Sequence, residues 1–79
     1  MIHRLHIRLM DAEGALLRLL GTTERRGFRV IAMHAQVGAD AVCQVELTVD
    51  GTRDAELLGR QLERLHEVQA ATITTPRIA

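Results

Sequence analysis

The sequence contains no Lys, Ser, Asn, Trp or Tyr, and only one Phe, one Cys and one Pro. Without Ser there is no serine nucleophile. Without Lys there is no Schiff-base amine and no phosphate-binding loop ending in Gly-Lys-Ser or Gly-Lys-Thr. Without Asn there is no N-glycosylation acceptor. A single aromatic residue offers bases nothing to stack on, and ten Asp and Glu cancel ten Arg, so nucleic acid is not an expected partner. The lone Cys43 cannot form an intramolecular disulfide and fits a reducing, cytoplasmic compartment. The N-terminal stretch MIHRLHIRLM lacks the continuous apolar run of a signal peptide, and nothing approaches transmembrane length, so no membrane partner is expected either. Placing every basic charge on Arg fits a G+C-rich genome. Seventy-nine residues make one domain, expected over residues 1–75 with a frayed tail at 76–79, and a lone monomer of this size is only marginally able to bury a core.

What is present is periodic. Residues 2–9 alternate: Leu5, Ile7 and Leu9 point one way and Arg4, His6 and Arg8 the other, which predicts a half-buried strand. Asp11-Ala12-Glu13-Gly14 breaks this pattern, with Asp11 as a candidate helix cap. From Ala15 to Arg26, the residues Leu16, Leu17, Leu19 and Leu20, with Thr23, form one apolar helix face, and Gly27 stops the helix. Residues 28–37 read as a strand that is apolar on both sides. Gly38-Ala39-Asp40 is a turn, and residues 41–49 alternate again with Cys43, Val45, Leu47 and Val49 inward. A second helix is expected over about residues 53–66 with Leu57, Leu58, Leu62 and Leu65 in its core face, then a last strand over 67–74. The order β-α-β-β-α-β predicts an α+β, ferredoxin-like fold: a four-stranded antiparallel sheet with both helices on one face.

Little in this chain can do chemistry. His3 and His6 leave opposite faces of one strand and His34 and His66 sit alone, so the four read as surface or edge histidines and no metal site is expected. Cys43 reads as a small buried hydrophobe with no base beside it. Soft-metal carriers on this frame place Cys-x-x-Cys in the first β-α loop, which here holds no Cys. RNA-recognition modules need exposed aromatics, where this chain has Arg4, His6, Gln44 and Glu46. Two features survive. The loop Asp11–Ala15 puts a Gly at a helix N-terminus, where backbone N–H groups suit a carboxylate; a capped turn that binds nothing is the plainer alternative. The strand over 28–36 carries no Lys or Pro to protect it. At a sheet edge it would be a template for a second chain, and as a central or covered strand it would not.

Asp11-Ala-Glu-Gly14-Ala-Leu16, followed by Arg25-Arg26-Gly27-Phe28, resembles the ACT domain, whose signature runs from a polar residue through Gly-x-Leu and a helix to Arg-Gly-aromatic. Gln44-Val-Glu-Leu-Thr-Val49 and Leu62-Glu-Arg-Leu65-His-Glu-Val68 are similar to the third strand and the end of the second helix in regulatory small subunits of acetolactate synthase. The likeness covers residues 2–74, and the length looks like the short, isozyme II type. It implies a non-catalytic, bacterial subunit in branched-chain amino-acid biosynthesis that binds and activates a large subunit. That large subunit, not this chain, would carry thiamine diphosphate, Mg and FAD.

The resemblance also implies a homodimer of side-by-side sheets, with Leu17, Phe28, Ile31, Met33 and Ala35 as candidate interface residues. Asp11, Glu13, Gly14, Ala15, Arg29 and Val30 are the candidate effector site for valine or another branched-chain amino acid. Valine-binding members tend to place Asn where this chain has Asp11 and Arg29. The two charges either divide a ligand's ammonium and carboxylate between them or pair across the dimer and close the site. Acidic Asp11 and Glu13 near a helix N-terminus would repel a ligand carboxylate, which favours weak or absent valine feedback. The alternative is a free-standing amino-acid sensor of the ACT type. If the helix-free sheet face met the large subunit, Arg4, His6, Arg8, Gln44 and Glu46 would lie in the contact; a solvated sheet face is the plainer expectation.

Overall fold

Strict alternation makes β1 (Ile2–Met10) the centre of the molecule, because every second side chain can enter the core. In the computed structural model, which describes residues 1–74, Leu5, Ile7 and Leu9 are buried while Arg4, His6 and Arg8 face out. The remaining elements are α1 (Ala15–Arg25), β2 (Arg29–Val37), β3 (Val42–Asp50), α2 (Ala55–Leu62) and β4 (Val68–Thr74). The four strands form one sheet in the order β2-β3-β1-β4, with every neighbouring pair antiparallel. This is the expected ferredoxin-like βαββαβ arrangement. The tail expected to fray at 76–79 lies outside the described residues.

The core forms between the sheet and the two helices. Leu5, Ile7 and Leu9 of β1 join Cys43, Val45, Leu47 and Val49 of β3, Leu19 of α1 and Leu58 and Leu62 of α2. The two helices bury narrower faces than their leucines suggest. On α1 the buried residues are Ala15, Leu19, Thr22 and Thr23, and on α2 they are Ala55, Leu58, Gly59 and Leu62. At about 100° per residue, Leu17 and Leu57 point roughly opposite those faces. They are 75% and 46% exposed, so both depart from the expected core stripe. Gly59 is buried because Ile73 of β4 occupies the space that a Cβ would fill.

Four further details depart from expectation. Asp11 does not cap α1: Gly14 holds the N-cap position in left-handed backbone, φ 76°, and no side chain caps that end. The second helix is shorter than the expected 53–66 at both ends: Asp54 caps its start, accepting from the Glu56 N–H at 2.9 Å, and it stops at Leu62. His3 is a core residue rather than a surface one, with its ring 6.0 Å from that of Phe28 in an edge-on arrangement. Phe28 precedes β2 and is itself 2% exposed. It seals the lower end of the core against Gly51, where an added Cβ would meet its ring at 2.7 Å.

Candidate functional site

β2 is an edge strand, and of its residues only Val30 is even partly covered. Its pairing with β3 shifts register at Ile31, which lies between the paired residues Val30 and Ala32. Beyond that bulge, Met33, Ala35 and Val37 pair with the core-facing Leu47, Val45 and Cys43, and so share the helix side of the sheet. Neither helix covers them: Met33 is 44% and Val37 54% exposed, and Ile31 is 47% exposed. An edge with apolar side chains and open backbone donors and acceptors is a template for another strand.

At the end of this strip, a cavity of about 140 Å³ opens between the end of β1, the β1–α1 loop, the start of α1 and the end of β2. Leu9, Ala15, Leu16, Ala35, Val37 and Cys43 give it an apolar wall, and Asp11 stands at its rim. The loop is fastened from two sides. The Asp11 N–H donates to the Ala41 carbonyl at 3.0 Å, and the Met10 N–H to the Glu67 carbonyl at 2.8 Å. Arg18 reaches back from α1, donating to the Glu13 carbonyl and forming a 2.7 Å ion pair with Glu67. Hydrogen bonding from Arg18 holds the Glu67 carboxyl below its ordinary value of 4.5. Gly14 lets the chain turn here, since its left-handed backbone suits glycine. Its missing Cβ also leaves room for the Arg18 guanidinium, which would lie 2.9 Å from a Cβ.

The candidate effector residues divide between two ends of the sheet. Asp11, Glu13, Gly14 and Ala15 lie at the cavity end. Arg29 and Val30 lie at the other, where Arg29 is opposite Asp50 and Asp50 is opposite Ile2. The length of β1 separates them, about 25 Å for nine extended residues, so one chain alone does not bring Asp11 and Arg29 together. Asp50 is engaged by the N-terminal ammonium at 3.0 Å, whose hydrogen bond holds its carboxyl below the ordinary range. Of the candidate interface residues, Leu17, Ile31, Met33 and Ala35 are exposed. Phe28 is inside the core and has no surface for a partner. Val37, Leu16 and Cys43 were missed in the sequence as cavity residues. The row Leu9–Cys43–Val37 follows from strand register, which alternation within each strand does not reveal.

Among the described residues, no group of three or more His, Cys, Asp or Glu is placed to hold a metal ion, and no helix is long and apolar enough to cross a membrane. The ACT domain family matches residues 11–71, from the β1–α1 loop into β4. The chain belongs to the ACT domain family. Its fold matches the acetolactate synthase small subunit of Thermotoga maritima with a TM-score of 0.83 over 96% of this chain, at 19% identity. It also matches the ACT domain of the GTP pyrophosphokinase of Chlorobium tepidum, with a TM-score of 0.75 over 98% of this chain and 89% of that one, at 13% identity. This ACT domain spans 48%, about half, of the Thermotoga subunit. No curated protein matches the sequence.

Proposed function

We propose that this ACT domain is a cytoplasmic, non-catalytic regulatory subunit that binds and activates the large subunit of acetolactate synthase. The observation that carries the reading is the bare apolar edge of β2 running into the cavity at the start of α1. A chain built to act alone would cover such an edge; a regulatory module uses it to pair. Antiparallel pairing of two β2 edges sets the start of one strand beside the end of the other. Arg29 of one copy then approaches the Asp11 end of its neighbour, so the effector site is completed only in the homodimer. The fold match to a small subunit supports the choice of enzyme. Thiamine diphosphate, Mg and FAD belong to the large subunit in this reading, and branched-chain amino-acid synthesis is its setting.

The opposite charges of Asp11 and Arg29 would neutralise each other across that interface, and valine feedback is accordingly weak or absent. A second reading, a free-standing amino-acid sensor, is favoured by the same cavity and by the match to an ACT domain of a different enzyme. Mixing the purified chain with the acetolactate synthase large subunit of the same organism separates the two. Co-elution and a rise in acetolactate formation are expected; neither would occur for a free-standing sensor. Calorimetric titration of valine, leucine and isoleucine tests the closed site, which micromolar valine binding would rule out.

A further inference from the structure

The chain is electrically neutral, yet part of its positive charge is gathered in one place. Four of its arginines, Arg25, Arg26, Arg53 and Arg64, line one groove between the end of α1 and α2. Two adjoining hollows of about 460 and 200 Å³ make up the groove and share Arg25, Arg26 and Gln61. None of the four forms an ion pair; among the described residues Arg18 is the arginine that does. One carboxylate, Asp54, also lines the groove, where it accepts from the Glu56 N–H.

Attraction to the C-terminus of α1 accounts for Arg25 and Arg26 but not for Arg53. Arg53 stands just before the N-terminus of α2, the end that disfavours a cation and favours an anion. Two of the guanidinium groups are also placed in advance. Arg25 donates to the Thr22 hydroxyl at 3.2 Å. Arg53 lies over Gly27, whose φ of 92° and missing Cβ make the space: a Cβ there would sit 2.7 Å from Arg53 Nε. Leu57, the leucine of α2 that faces away from the core, lies at the side of the same groove.

We infer that this groove binds a small phosphorylated metabolite, with its phosphoryl oxygens held by Arg25, Arg53 and Arg64 and its apolar part over Leu57. Planar guanidinium groups suit phosphoryl oxygens through paired, charge-assisted hydrogen bonds. Four guanidinium groups against the single carboxylate of Asp54 leave the groove net positive, which an anion would offset. The site is at the opposite end of α1 from the effector cavity, so the domain would have two inputs of different chemistry.

The test is titration of the full chain with inorganic pyrophosphate, followed by amide NMR, with sulfate at matched ionic strength as the control. Saturable binding of one pyrophosphate per chain is expected, with shifts centred on Thr22, Gly27, Arg53 and Gln61. Arg53→Glu and Arg64→Glu, both at exposed positions, should each weaken it at least about tenfold, the loss of one charge-assisted contact. Pyrophosphate binding no tighter than sulfate would overturn the inference. Shifts spread equally over the sheet arginines Arg4 and Arg8 would do the same, as would retention of affinity in folded variants. A pentaglutamate peptide that binds the groove more tightly than pyrophosphate would also overturn it, and would make the groove a docking site for an acidic protein segment.

Discussion

Replacing Met33 by Asp tests whether two β2 edges pair. Met33 is 44% exposed and sits between Ile31 at 47% and Val37 at 54%. Complete burial of such a side chain is worth about 1.5–3 kcal/mol, so covering the remaining half is worth about 1 kcal/mol. A twofold interface contains the side chain twice, and the substitution removes about 2 kcal/mol. That corresponds to a dissociation constant raised about 30-fold. A carboxylate forced into the same apolar strip raises it further, because it is desolvated without a partner. Sedimentation equilibrium over a range of concentrations measures the change, and far-ultraviolet circular dichroism checks that the variant is folded. Arg8→Glu, on the helix-free face of the central strand β1, serves as the control and should dimerise normally. A wild-type chain that stays monomeric at about 100 μM, or a Met33→Asp chain that dimerises like the wild type, would refute the edge-pairing argument.

Phe28→Ala empties the space between His3 and Gly51 and should cost about 3–5 kcal/mol in urea denaturation, the range for truncating a buried aromatic. Gly27→Ala forces an alanine into left-handed backbone against Arg53, and a loss of about 1–2 kcal/mol is expected in the same measurement. Glu67 titrates below its ordinary 4.5 because of Arg18, so near that pH the unfolded chain binds more protons than the folded one. Stability from the pair is therefore complete above about pH 4.5 and falls as pH drops through the lowered value. Glu67→Gln should lower the melting temperature at neutral pH and converge on the wild type in acid, so that the acid side of the profile is flatter. Asp11→Asn removes one of the two charges proposed to close the effector site and should raise valine affinity in calorimetry; an unchanged titration would remove Asp11 from that role.

The amino-acid order alone determined the element sequence and the sheet's inner face, because a strand with one buried side must alternate. Leu5, Ile7 and Leu9 against Arg4, His6 and Arg8 could fold in no other sense. The loop before α1 was also legible, since Gly14 interrupts two periodic segments. Local pattern did not show which leucines of a four-leucine helix are covered. Leu17 and Leu57 are as apolar as Leu19 and Leu58, and only the position of the sheet beneath each helix separates them. His3 and Phe28 became a core pair because the ends of β1 and β2 close on the same corner, a contact across 25 residues of sequence. The candidate effector residues illustrate the same limit. Asp11 and Arg29 both flank α1 in sequence, yet the strand register places them at opposite ends of the sheet. Tertiary structure alone decided that separation.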